Sequence, residues 1–422
     1  MPLYDETLRP QCLFYFLWGK PRICSIIKKI EIDYKLEMGV FLALAEMRSR
    51  LKDAQTVVVK VGTSSLTYTS GRLNLKNMER LVRQIADLHN SGKKVVLVSS
   101  GAVGAGVGEL GLTSKPRTIP ERQAVAAVGQ GFLMQVYNKF FLEYGIVTAQ
   151  ILLTRDDMGD RRRYLNARNT LMMLLNEYKA LPIINENDTV ATEELQLRFG
   201  DNDTLAALVA SLIGADLLIL LSDIGGLYTS DPRKDQAATL IPVVKEISPS
   251  IWSTAGEAGT SRGTGGMITK LEAARIATRS GITMVLASAE EEDVLDRIVA
   301  GEEIGTLFLP NEESLVQRER WIAFAGQPQG AVVIDEGAVT ALLERKKSLL
   351  PSGVIAVKGK FGVGDLIRVL DPHEQEIARG LSNFSNEEIE KIKGANTAQL
   401  PKVLGYKTFE EVIHRNNLVC FE

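Results

Sequence analysis

Between Thr56 and Ala287 one pattern recurs: a short aliphatic run, a cluster of small and polar residues, then apolar residues at helical spacing. The strand-like runs are Thr56 to Val61, Val95 to Ser99, Val147 to Leu153, Leu181 to Asn185, Leu217 to Ser222 and Thr283 to Ala287. After the first of them, Leu75, Met78, Leu81, Val82, Ile85 and Leu88 recur on one helical face, with Asn74 placed to cap the helix and Gly92 to end it. Strands alternating with helices predict an α/β domain, a three-layer sandwich with a mostly parallel central sheet between helices. Ligands of such sheets bind beyond the carboxyl ends of the strands. The loops at those ends are therefore where chemistry is to be sought.

The pattern changes after Phe308. Asn311 to Pro328 reads as a connecting helix and linker, and from Gly330 short strands are divided by glycines, as in Val354 to Lys360 and Leu366 to Leu370. The expected organisation is an N-terminal extension over 1–53, an α/β domain over 54–310, a linker over 311–329, and a small β-rich domain with the C-terminal tail over 330–422. A chain of 422 residues with 45% hydrophobic content can bury the separate cores this requires. A formal charge of −3 provides no global field for nucleic acid or anionic membrane. No apolar run approaches the roughly 18 residues that a spanning helix needs. Met1 to Arg50 lacks the basic start and apolar centre of a signal peptide, so the chain is read as cytoplasmic. The three cysteines, Cys12, Cys24 and Cys420, form no pair at metal-ligand spacing.

Four strand ends carry suggestive loops. The first strand runs into Lys60-Val61-Gly62-Thr63-Ser64-Ser65, joining a cation, a glycine and hydroxyls as a phosphate requires. The second runs into Ser99-Ser100-Gly101-Ala102, where small residues open a helix whose free N–H groups favour an anion. Asn185-Glu186-Asn187-Asp188 and Asp201-Asn202-Asp203 gather carboxylates and amides able to bind an ammonium, orient lysines or hold Mg²⁺. Any one of Asp201, Asn202 and Asp203 also suits a plain helix cap. Leu221 to Pro232 reads as a turn and hairpin forming a shelf for a base, and Gly263 to Lys270 as a glycine loop delivering a second lysine to a helix start. The glycines of Gly106 to Gly111 fit a dinucleotide fingerprint but lie too far past the strand end to act as one. His89, His373 and His414 fall in none of these loops, which agrees with an acceptor that needs no general base.

In this order the segments KVGTSSL, SSGAVGAG, INENDTV, FGDNDTLAAL, SDIGGLYTSDPR and GTGGMITK resemble the amino acid kinase superfamily, and their wording resembles the glutamate 5-kinases within it. The tail around VIDEGAVTALLERKKSLLPSGV is similar to the PUA domain that follows the kinase domain in many of these proteins. The resemblance implies ATP-dependent phosphorylation of the side-chain carboxylate of L-glutamate, with Mg²⁺, as the first step of proline biosynthesis. It implies Lys60, Lys270 and Asp203 as catalytic residues, Asp203 orienting the lysines. Ser100, Asp188 and Asn202 would bind glutamate. The nucleotide would lie against Lys60, Ser222, Asp223, Thr264, Gly265, Gly266, Met267, Ile268, Thr269 and Lys270, and no residue is assigned to a metal. It further implies a homo-oligomer, dimer or tetramer, and feedback inhibition by proline. Met1 to Asp53 matches nothing in that family. Related kinases act on acetylglutamate, aspartate or carbamate, and the GDND segment with the tail favours glutamate. PUA domains often bind RNA, but residues 331–422 carry 12 Lys and Arg against 13 Asp and Glu, so RNA binding is not expected.

Overall fold

The computed structural model describes residues 45–421, apart from 69, 115, 192–201, 255–265, 312–316 and 406–408. Its first sheet has eight strands: β1 (Thr56–Val61), β2 (Lys94–Val98), β3 (Thr148–Leu153), β4 (Leu181–Glu186), β5 (Leu217–Ser222), β6 (Val243–Val244), β7 (Thr283–Ser288) and β8 (Thr306–Phe308). Their order is β3-β4-β2-β1-β5-β7-β8-β6, and every pairing is parallel except β7 with β8. The six runs expected from sequence are all strands, displaced by a residue at most. β8 and β6, of three and two residues, are too short to leave a periodic signal.

Alternation along each strand divides the core in two. Val57, Val59 and Val61 of β1, with Val95 and Leu97 of β2 and Leu217, Ile219 and Leu221 of β5, face one layer. That layer is built from helix α1 (Leu75–Asn90) and, beyond the eight-residue α2 (Ala102–Glu109), helix α3 (Ile119–Glu143). Val58, Val96, Val98, Leu218 and Leu220 face the other, formed by α4 (Arg161–Asn176), α5 (Asn202–Ile213) and α6 (Met267–Arg279). The Asn74 side chain caps α1 by accepting from the Asn77 N–H, and Thr118 and Glu121 form a reciprocal capping box on α3.

The glycines that mimic a dinucleotide fingerprint have a packing role. A Cβ on Gly106 of α2 would lie 2.0 Å from the Val125 carbonyl oxygen of α3, and one on Gly129 of α3 would lie 1.9 Å from that of Ala102. Their absence lets the two helix backbones touch, which sets α2 and the turn before it against α3. Before β1, Arg48 is 1% exposed and donates to the carbonyls of Pro242, Glu302, Ile304 and Gly305 at 2.9–3.1 Å. Residues just ahead of the first strand are thereby tied to the far edge of the sheet.

A second sheet, ordered β10-β9-β11-β12-β13, comprises β9 (Gly330–Ile334), β10 (Val354–Gly359), β11 (Leu366–Leu370), β12 (Glu376–Leu381) and β13 (Leu418–Cys420). It has its own core, with Val332, Ile334, Ile367, Val369, Phe384 and Ile413. Leu366 and Val419 instead join Trp321 and Ile322 in the core beneath α5 and α6, so apolar packing runs without a break from one domain to the other.

Candidate active site

The carboxyl ends of β1, β2, β4 and β5 bring most of the expected residues together. Alternation along β1 turns Lys60 to the same side as Val58, towards the layer where α5 and α6 begin. Asp203 stands in the first turn of α5 and Lys270 in the first turn of α6. The Lys60 Nζ lies 2.5 Å from Asp203 Oδ1, and the Lys270 Nζ donates to Oδ2 at 3.0 Å. All three are buried, at 5%, 1% and 8% exposure for Lys60, Asp203 and Lys270. Burial on its own would raise the carboxyl pKa of Asp203. The charges and hydrogen bonds of Lys60 and then Lys270 outweigh it and hold the group well below the usual carboxylate range. One carboxylate thus holds two ammonium groups side by side at the meeting of the strand end and the two helix starts.

Around this centre, Thr269 places its hydroxyl 2.8 Å from the Gly266 carbonyl and 3.4 Å from Asp203 Oδ2. Met267 and Ile268 complete the first turn of α6. Gly266 precedes that turn with extended backbone, so the first N–H groups of α6 remain available to an anion. Thr264 and Gly265 lie outside the described residues, as does Asp201. Ser222 ends β5 and donates to the Asp223 carboxylate at 3.1 Å. The shelf expected after it is a turn closed by a single antiparallel bridge, Tyr228 to Leu240, rather than a regular hairpin.

A second, uncharged group adjoins the first. Ser100 follows β2, and Gly101 then takes φ +92, a left-handed turn suited to glycine, before α2 starts. Asn202, beside Asp203 on α5, donates through Nδ2 to the Ser99 carbonyl and to Ser100 Oγ, both at 2.9 Å, and to Asn185 Oδ1 at 3.0 Å. Asp188 stands further out, past β4, beside Glu186 and Arg122. Burial first, then the neighbouring Asp188 charge, pushes the Glu186 carboxyl up to about 7, with Arg122 opposing. Burial likewise raises Asp188. Arg122 and Gln130, both on α3, were not singled out from sequence, because polar residues on a long helix carry no signal separating a site from a solvated face.

Residues 55–288 match the model of the amino acid kinase family, and residues 330–404 that of the PUA domain. Curated relatives extend the likeness over nearly their whole length. A glutamate 5-kinase of Thermoanaerobacter sp. (strain X514) is 56% identical over 366 residues, which is 87% of this chain and 98% of the relative. One from Caldanaerobacter subterraneus subsp. tengcongensis has the same identity and the same two coverages. One from Moorella thermoacetica is 53% identical, over 89% of this chain and 98% of its own. The fold, the buried pair of lysines and these matches define a class, the amino acid kinases with an appended PUA domain. The chain belongs to that family and, within it, to the glutamate 5-kinases.

Proposed function

We propose that this protein transfers the γ-phosphoryl group of ATP to the side-chain carboxylate of L-glutamate, giving L-glutamyl 5-phosphate, the first step of proline biosynthesis. The observation that carries the reading is the buried Lys60–Asp203–Lys270 arrangement at the meeting of a strand end and two helix starts. A carboxylate oxygen attacks the γ-phosphorus, the bond to the β–γ bridging oxygen breaks, and ADP leaves with that electron pair. With a side-chain pKa of about 4.3 the acceptor is already ionised at neutral pH, so no general base is needed. The barrier comes from bringing two anions together. Lys60 and Lys270 lower it by neutralising phosphoryl charge, while Asp203 keeps both ammonium groups oriented.

In this reading Ser100, Asn202 and Asp188 hold glutamate. Ser222 and Asp223 border the nucleotide, and Gly266 to Lys270, with the preceding Thr264 and Gly265, wrap its phosphates. Among the described residues no three His, Cys, Asp or Glu side chains converge to hold a metal. Mg²⁺ bound with the triphosphate would supply further neutralisation of the phosphoryl charge beside Lys60 and Lys270. Family likeness supports three further readings: a homo-oligomer, inhibition by proline, and a cytoplasmic enzyme. Among the described residues no helix is long and apolar enough to cross a membrane. The same likeness supports the division into a kinase domain over 54–310, a linker over 311–329 and a PUA-like domain from 330.

The test is ADP release with Mg²⁺-ATP and hydroxylamine present, which traps an acyl phosphate as its hydroxamate. Glutamate is expected to give hydroxamate, whereas aspartate and acetylglutamate are not. Turnover of another acid in place of glutamate would overturn the acceptor assignment and leave the phosphoryl-transfer site standing.

A further inference from the structure

Gln130 lies buried on α3 and takes no part in the chemistry above, yet it ends a chain of carboxamides leading into the acceptor site. Its Oε1 accepts from Asn185 Nδ2 at 2.8 Å. Asn185 Oδ1 accepts from the Glu186 N–H at 2.9 Å and from Asn202 Nδ2 at 3.0 Å. A carboxamide can be turned end for end with little change of shape, so its orientation has to be set by partners that cannot turn. The Glu186 main-chain N–H is such a partner, because it only donates. It holds Asn185 Oδ1 on its own side and sends Asn185 Nδ2 to an acceptor, which Gln130 provides. Asn202 must then offer its Nδ2 to Asn185 Oδ1. The Ser99 carbonyl, which only accepts, demands the same orientation. Asn202 Oδ1 is thereby left facing away from all three, buried and without a hydrogen-bond partner among the described residues.

An unpaired buried acceptor is costly, and the group that relieves it is a donor on the bound ligand. We infer that Gln130 is a positioning residue for the acceptor amino acid: by accepting from Asn185 Nδ2 it holds Asn185, already oriented by the Glu186 N–H, in place against Asn202, so that Asn202 Oδ1 receives the α-ammonium of the substrate. The inference rests on the kinase reading above and adds the device that distinguishes an amino acid from a plain dicarboxylate. Gln130 reaches β4 because Gly129, beside it, allows α3 to close on α2. Two turns further along α3, the Tyr137 hydroxyl meets Ser99 Oγ at 3.0 Å, so the same face supports the floor of the site a second time.

The experiment compares Gln130→Met, of similar volume but with no acceptor, with Gln130→Glu, which keeps an oxygen towards Asn185. Steady-state rates are measured on glutamate and on glutarate, which lacks the amino group. Gln130→Met is expected to raise KM for glutamate about tenfold, as loss of roughly one oriented hydrogen bond does. KM for ATP and kcat should stay within about threefold, and the preference for glutamate over glutarate should fall by about tenfold. Gln130→Glu should recover most of both. Gln130→Asn, which withdraws the oxygen by one methylene, carries the same expectation as the Met variant and decides the matter if that variant fails to fold. Equal losses on glutamate and glutarate, an unchanged KM, or a Glu variant as impaired as the Met variant would each overturn the role of Gln130. A wild-type enzyme inactive on glutamate would instead overturn the kinase reading itself.

Discussion

Asp203 lies between two lysines, and its removal separates two roles that the intact site combines. In Asp203→Asn the buried ammonium groups of Lys60 and Lys270 lose the carboxylate they share. Breaking a buried ion pair from one side costs about 3–5 kcal/mol. Lys60→Ala and Lys270→Ala each leave Asp203 its other lysine, so both are expected to fold with a smaller loss while kcat falls by about 10²–10³. Thermal melts beside single-turnover rates check the contrast, and a Lys60→Ala enzyme with normal kcat would remove that lysine from the phosphoryl-transfer site. Glu186 supports a prediction of opposite sign. Its folded-state pKa, about 7, lies above that of an unfolded glutamate, so the folded chain holds the proton more tightly and stability falls as pH rises through that interval. Glu186→Gln should match wild type near pH 4, below the unfolded pKa, and become more stable than it above pH 7. A stability difference that stays constant with pH would show that the carboxyl does not titrate there.

At the scale of elements, α2 and α3 meet where two glycines face main-chain carbonyls, and neighbouring glycines of α3 are expected to answer differently to one added methyl. Gly129→Ala drives a Cβ into the Ala102 carbonyl, for which no side chain can make room. It should destabilise by about 1–3 kcal/mol or more and, by shifting the Ser100–Gly101 turn, raise KM for glutamate. Gly131→Ala meets nothing within 4 Å and should stabilise by about 0.5–1 kcal/mol through helix propensity alone. Denaturant titrations of the pair decide this, and equal effects would mean that the close approach is not what holds the helices. The same helices show what the sequence makes legible. The six main strands and Lys60 stand out because β-branched runs of fixed length leave a period, and because a lysine ending such a run breaks it. Gln130 does not stand out, since its partner Asn185 lies 55 residues away and only the fold brings them together. β8 is hidden for a different reason, being three residues long and running, with β6, antiparallel to the other six strands.

Across the whole molecule, the two domains are joined by packing as well as by chain. Trp321, from the connecting segment, is buried and donates from its indole N–H to the Met158 carbonyl at 3.3 Å, with the Arg161 guanidinium 5.2 Å from its ring centroid. On the other side of the junction, Phe421 lies between Arg279 of α6 at 5.8 Å and Arg379 of β12 at 5.5 Å. Arg379 also donates to the Ala323 carbonyl, and Arg279 to that of Cys420. Such contacts are worth more here than on an open surface, because the cations lie against apolar rings and their hydrogen bonds are partly shielded from water. Leu366 and Val419 extend the kinase core into the PUA-like domain, yet that domain also has a core of its own. It can therefore outlast the junction if the junction is weakened. Trp321→Ala removes the largest apolar side chain shared between the two and should cost about 3–5 kcal/mol. Its distinctive effect is on cooperativity. In hydrogen exchange measured across a denaturant series, peptides from 56–308 and from 330–421 of the wild type should lose protection together, whereas in Trp321→Ala they should lose it at separate concentrations. Joint loss in the variant would show that chain connection and the arginine–Phe421 contacts suffice to couple the domains.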